Sequence, residues 1–208
     1  MIQIKDQKSK DELFKKYIQS GHSVGEVSLF AIANETNQKK DVINDVLGIV
    51  YKGDIFLMKG TTNVGKYYTY NPLNRKGAFH LAFGYHSKIW RIGKHKKKYT
   101  ALVNTWDCNK TKGWRDSNQN FKYDKDADYI ANGHYGVNLH RMSSNHATAK
   151  IGTYSAGCQV VQDPNDFEKL IGMVTTSKMY LNTPLPTYFS YYLFKKEELL
   201  NLYKKVYR

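Results

Sequence analysis

The chain is predicted to be mainly β, a sandwich or barrel, carrying one helix near the N-terminus, one after a central cysteine motif and one at the C-terminus. Two observations predict this. Short apolar runs bounded by Gly, Asn or Lys recur from Val27 onward at the spacing of an all-β domain. Apolar positions switch to helical spacing only at three places.

The first of these places is Lys8 to Ser20, where Leu13, Phe14, Tyr17 and Ile18 share a face opposite lysines and Gly21 supplies a stop. Strands are then expected over Val27–Ile32 and Val46–Val50, separated by polar Asn/Lys clusters. Further strands follow at Asp54–Met58, Ala78–Phe83, Ile89–Ile92 and Tyr99–Val103. Asp163-Pro164 then reads as an N-cap with proline at the first helical position, and Phe167, Leu170, Ile171 and Val174 recur on one face behind it. Tyr188–Phe194 closes the strands, with Phe189, Tyr191 and Leu193 on one side, and Leu199, Leu200, Tyr203 and Val206 mark a terminal amphipathic helix. With 208 residues, 41% of them apolar, one substantial core with an appendage is the expected organisation. We place the boundary so that residues 1–53 form a helix-and-strand extension and residues 54–208 a cysteine-site domain with its C-terminal helix.

Composition narrows the function. No run of eighteen apolar residues exists, so no membrane span is expected, and the opening Met1-Ile2-Gln3-Ile4-Lys5-Asp6 lacks the apolar core of an export signal. The expected location is therefore the cytoplasm, a virion, or the cell wall by co-delivery. Two cysteines, Cys108 and Cys158, are too few for a disulfide scaffold or a four-thiolate zinc site, and leave room for one disulfide at most. The net charge of +14 attracts polyanions, whether nucleic acid or anionic wall polymer. Seventeen tyrosines, several among lysines as at Lys66-Tyr67-Tyr68 and Lys97-Lys98-Tyr99, suit either stacking on bases and sugars or half-buried strand faces. Charge and tyrosine content are the whole case for nucleic acid, which is set aside as a partner.

The chemistry concentrates in Gly136-Val137-Asn138-Leu139-His140-Arg141 and Ile151-Gly152-Thr153-Tyr154-Ser155-Ala156-Gly157-Cys158-Gln159-Val160-Val161. Strand alternation puts Asn138 and His140 on one face, away from Val137 and Leu139. Cys158 follows two small residues, so the backbone can approach a substrate oxygen and leave room for an acyl group. A thiol attacks acyl carbon as thiolate and needs an imidazole to take its proton. His140, eighteen positions upstream, is within reach by a returning loop.

At these residues the sequence resembles the L,D-transpeptidase catalytic domain, whose motif is a histidine, a loop of comparable length and Ser-His-Gly-Cys. Ser155, Gly157 and Cys158 match and His140 falls at the upstream histidine, while Ala156 replaces the motif histidine and Gln159-Val160 replaces the usual apolar residue and Arg or Asn. The resemblance implies Cys158 as nucleophile, His140 as general base, the Arg141 carbonyl steadying the ring, and the Gly157 and Cys158 N–H groups holding the oxyanion, with Ser155 and Asn138 in support. It implies acyl transfer or hydrolysis on peptidoglycan stem peptides, with no cofactor and no metal. A longer string, Trp90 to His95, Trp114 to Asn118, Gly136 to His140 and Ser155 to Val161, is similar to phage and bacterial proteins sharing Ser-Ala-Gly-Cys-Gln. His95, which belongs to it, is expected as a substrate contact, as are Tyr154 and Trp114. Losing the motif histidine favours a rival, a non-enzymatic virion or wall-binding protein that keeps the fold, with virion proteins as partners.

Other signals are weaker. Asp116, Asn118, Asn120 and Asp124 space oxygens as a calcium loop does but lack its central Gly and distal Glu, so a polar turn is expected. His86 and His95 lie in a basic stretch and are expected at the surface. The segments Lys59–Thr62 and Asn63–Lys66 lack phosphate-loop spacing.

Overall fold

The computed structural model describes residues 1–36 and 41–207. Its elements in chain order are β1 (Ile2–Ile4), α1 (Gln7–Gln19), β2 (Val27–Ala33), β3 (Asp45–Tyr51), β4 (Asp54–Thr61), α2 (Lys66–Tyr70), β5 (Ala78–Leu81), β6 (Gly84–His95), β7 (Tyr99–Val103), β8 (Thr111–Asp116), β9 (Tyr129–Gly133), β10 (Leu139–Arg141), β11 (Gln159–Val161), α3 (Pro164–Thr175), α4 (Lys178–Asn182), β12 (Tyr188–Lys195) and, after a 3₁₀ turn, α5 (Leu200–Val206).

Eight strands run in the order β4-β11-β10-β7-β6-β12-β2-β3, and β3 pairs back onto β4, so the sheet closes into a barrel. A barrel, not a sandwich, is thus the architecture. The pairs β10–β11 and β12–β2 are parallel and the other barrel pairs antiparallel. β1 lies outside the ring, antiparallel on the first half of β4. A second, three-stranded sheet, β5-β8-β9, stands apart from the barrel ring.

Burial follows the two-residue period of a strand on both faces. Leu29 and Ala31 of β2, Leu47 and Ile49 of β3, and Tyr191 and Leu193 of β12 join one cluster, with Trp90 among its largest members. The alternate residues Phe30, Ile32, Val46, Val50, Ile55, Leu57 and Phe194 join a second cluster with Leu13 and Tyr17 of α1 and Leu202 and Tyr203 of α5. Two-sided burial explains why β2 is apolar at every position but Ser28.

The helices keep their sequence signals. Asp6 accepts from the Ser9 N–H at the start of α1, and Gly21 takes a left-handed φ of +78° just past its end. Asp163 caps α3 by accepting from the Asn165 N–H, and Phe167, Leu170 and Val174 sink into the first cluster.

Residues 27–51, set with the extension in the sequence reading, supply two of the barrel's strands, because the β2–β3–β4 meander and the parallel β12–β2 pair carry continuous ladders across residue 53. No helix among the described residues is long and apolar enough to cross a membrane.

Candidate active site

The parallel pair β10–β11 sets Leu139 against Gln159 and His140 against Val160, which brings Asn138 beside Cys158. The Gln159 N–H donates to the Asn138 carbonyl at 2.9 Å, and the Asn138 N–H is directed at the Cys158 sulfur. Gln159 is buried, where its side-chain Oε1 accepts from the Tyr191 hydroxyl at 2.7 Å. His140 and Cys158 open together into a cleft of about 280 Å³, walled also by His95, Lys96, Asn138 and Gly157 and by the rings of Tyr68, Phe79, Tyr135 and Tyr154. Among the described residues no carboxylate lines it.

The loop that delivers Cys158 is held from behind. The Asp41 carboxylate accepts from the Gly152 N–H at 3.0 Å and from the Lys66 N–H, at the start of α2, at 2.7 Å. The Gly65 N–H donates to the Ser155 carbonyl at 2.9 Å, and a Cβ on Gly65 would lie 2.0 Å from the Gly152 carbonyl oxygen, so only glycine admits this approach. Ser155 is fully buried; its hydroxyl donates to the Cys158 carbonyl at 2.8 Å and accepts from the Gly157 N–H at 3.2 Å.

That last bond corrects one expectation. The Gly157 N–H is engaged by the turn, so of the two expected oxyanion donors only the Cys158 N–H lacks an acceptor among the described residues. Gly157 also has φ +129°, and a Cβ there would stand 2.7 Å from the Phe79 carbonyl oxygen. Gly157→Ala is expected to cost about 2 kcal/mol or more and to displace Cys158. Thermal melting, together with alkylation of Cys158 in the folded fraction, checks this.

Hydrogen bonding sets the histidine tautomer. His140 Nδ1 lies 2.7 Å from the Arg141 carbonyl, an acceptor only, so Nδ1 carries the proton and Nε2 keeps its lone pair. The Tyr99 hydroxyl donates to the same carbonyl at 3.3 Å. The Arg141 side chain turns away, lying over the Tyr99 ring at 4.5 Å and pairing with Glu168 at 3.3 Å. Behind the site, Trp90 donates to the Val137 carbonyl at 2.6 Å.

Burial, with a smaller push from His95, drives the His140 pKa down to about 3, so the ring is neutral at physiological pH. Burial also raises the Cys158 thiol, against opposing effects from the Asn138 N–H and Lys96. The thiol points toward the Gly136 carbonyl at 3.6 Å. Both partners therefore rest uncharged, and the proton must move as the sulfur attacks. The expected consequence is that alkylation of Cys158 by iodoacetamide keeps accelerating above about pH 8.5, the ordinary cysteine range, instead of reaching a plateau near neutrality. Stopped alkylation and mass spectrometry across pH 6 to 10 measure it.

Several other residues take placements that differ from those expected. His95, expected at the surface, is buried with its ring stacked 4.0 Å from that of His140, because it is the last residue of β6 and the lysines after it form the turn. His86 is also buried, with Nε2 2.7 Å from the Ala82 carbonyl. Tyr154 lines the cleft. Trp114 does not: it lies on β8, stacked 4.2 Å from His80, beside a separate small cavity. Cys108 and Cys158 are both free. The oxygens of Asp116 accept from the Asn120 and Phe121 N–H groups, so that calcium-like spacing closes a turn.

Asp41, Lys96, Asn104 and Tyr135 were not expected at the site, and Tyr68 was expected only as one of several tyrosines among lysines suited to stacking or to half-buried strand faces. Asn104 donates its N–H to the Asn138 side-chain oxygen at 2.9 Å, a contact across two strands that no local pattern announces. No family model, no curated protein and no solved structure matches the chain.

Proposed function

We propose that Cys158 and His140 perform acyl transfer on peptidoglycan stem peptides, as a transpeptidase, carboxypeptidase or endopeptidase. The observation that carries this reading is a thiol sharing one cleft with an imidazole whose lone pair is left on Nε2 by the Arg141 carbonyl. As the sulfur bonds to the acyl carbon, His140 Nε2 takes the thiol proton and returns it to the departing amine. A thioester on Cys158 remains, and water or a second amine then releases the acyl group.

The cleft suits such a substrate. Its volume is near the lower end of small-ligand sites, its tyrosine and phenylalanine walls offer flat apolar faces, and Lys96 gives it positive sign with no carboxylate to oppose. The net charge of +14 draws the protein to an anionic wall polymer.

A specific observation favours a second reading, a virion or wall-binding protein without activity. The thiol faces the Gly136 carbonyl, its pKa is raised, and Ala156 stands where the motif histidine would be. Incubating muropeptides with the protein and analysing products by mass spectrometry separates the two. New crosslinked or trimmed stem peptides support acyl transfer; unchanged muropeptides from several wall types, with the polymer still bound, support the second reading.

A further inference from the structure

His95 carries chemistry that the acyl-transfer motif does not include. It ends β6 and precedes a tight hairpin turn, in which Lys96 and Lys97 have φ +48° and +59° and the Lys98 N–H donates to the His95 carbonyl at 2.9 Å. That turn directs the His95 ring inward, where it is buried, stacks on His140 and borders the cleft.

Its tautomer follows from a chain of bonds. The Asn104 backbone N–H, which can only donate, is bonded to the Asn138 side-chain oxygen at 2.9 Å. That fixes the orientation of the Asn138 amide, so its Nδ2 donates to His95 Nδ1 at 3.0 Å. His95 Nδ1 is thereby an acceptor, and in the neutral ring the proton sits on Nε2. His140 has the opposite arrangement, with its proton on Nδ1 facing Arg141. Two stacked imidazoles thus border one cleft, one with a lone pair at Nε2 and the other with an N–H.

We infer that His95 Nε2–H is an oxyanion donor for the acyl group attacked by Cys158. The inference rests on the acyl-transfer reading of that cleft. It also fills a vacancy in the expected machinery, since the Gly157 N–H is bonded to Ser155 and leaves the Cys158 N–H as the backbone donor. As the Cys158 sulfur bonds to the carbonyl carbon, the C=O π pair moves to oxygen. The thiol proton passes to His140 Nε2, and the oxyanion is held by His95 Nε2–H without proton transfer. When the C=O re-forms, the bond to the leaving group breaks and that group takes the proton from His140. Burial, and secondarily the Lys96 charge, lower the His95 pKa, which keeps the donor neutral in the working range.

The test compares two reactions of the same thiol. Acylation of Cys158 by p-nitrophenyl acetate builds up an oxyanion; alkylation by iodoacetamide does not. His95→Leu keeps bulk against His140 and removes the donor, while His95→Gln keeps an N–H. Cys158→Ala supplies the background, and circular dichroism confirms folding.

The expected result is that His95→Leu slows acylation about 100-fold, leaves alkylation within about twofold, and that His95→Gln recovers most of the loss. Equal slowing of both reactions would show that His95 only positions His140, and no slowing of acylation would remove it from the mechanism; either outcome overturns the assignment. Wild-type protein that takes the ester but leaves muropeptides untouched overturns the peptidoglycan reading and not the role of His95. Turnover of muropeptides by His95→Leu at the wild-type rate overturns His95 alone.

Discussion

Cys158→Ala is expected to abolish muropeptide turnover, and His140→Ala to lower it by about 10⁴-fold or more, because in the proposed mechanism nucleophile and base act as one unit and losing either removes the covalent route. The double variant is expected to be no worse than either single one, the non-additivity of a shared step. Cys158 is only partly buried, and its sulfur makes only weak polar contacts, to the Gly136 carbonyl at 3.6 Å and from the Asn138 N–H, so Cys158→Ala is expected to shift unfolding by no more than about 1 kcal/mol. Rates measured on purified disaccharide-peptides, with thermal melts of each variant, check both statements. A Cys158→Ala protein that retains turnover would place the chemistry elsewhere.

Asp45→Ala is expected to cost about 3 kcal/mol of stability at pH 7. The carboxylate is fully buried at the start of β3, where Oδ1 accepts from the Asn34 N–H at 2.7 Å. Oδ2 accepts from the Thr62 N–H at 2.7 Å, the Thr62 hydroxyl at 2.9 Å and Asn63 Nδ2 at 3.0 Å. One side chain thus ties the end of β2 to the end of β4, and its removal strands these donors away from water.

The loss depends on pH with a definite sign. Burial outweighs the hydrogen bonds and raises the Asp45 pKa from 3.8 to about 6, so the folded chain keeps a proton that the unfolded chain gives up. The contribution of Asp45 is therefore greatest below about pH 4 and declines as pH rises toward 6, by about 3 kcal/mol for a shift of this size. Denaturant unfolding of wild type and Asp45→Ala at pH 4 and pH 7 reads this directly: the gap between them narrows at pH 7. A gap that widens would mean that the carboxylate is stabilised in its charged form.

Strands β2 and β3 were legible because each buries both faces, which leaves dense runs over Val27–Ala33 and Asp45–Tyr51, whereas β8 and β9, with exposed positions among short polar stretches, were not, and α3 was legible from its Asp163-Pro164 start. Barrel closure was not, since it depends on β12 lying parallel to β2, with Tyr191 against Leu29 across most of the chain's length. His140 and Cys158 could be linked because their strands are adjacent, joined by one loop. His95 was hidden by the lysines that follow it: a charge run reads as surface, whereas the turn exposes Lys96, Lys97 and Lys98 and sends the preceding ring inward. Trp114 failed in the opposite direction, an aromatic residue beside the motif string whose partner is His80 on a separate sheet. Short helix α2, built around Lys66-Tyr67-Tyr68-Thr69-Tyr70, has too few residues for a periodic signal, yet it brings Tyr68 to the cleft.

The measurement that bears most directly on acyl transfer at Cys158 is intact-protein mass spectrometry after brief exposure to muropeptides bearing tetrapeptide or pentapeptide stems. The expected result is a mass gain equal to the acyl portion of the stem, mapped to Cys158, released by hydroxylamine and absent in Cys158→Ala. A protein that gains no mass from any muropeptide, while Cys158 is still alkylated by iodoacetamide, would contradict it.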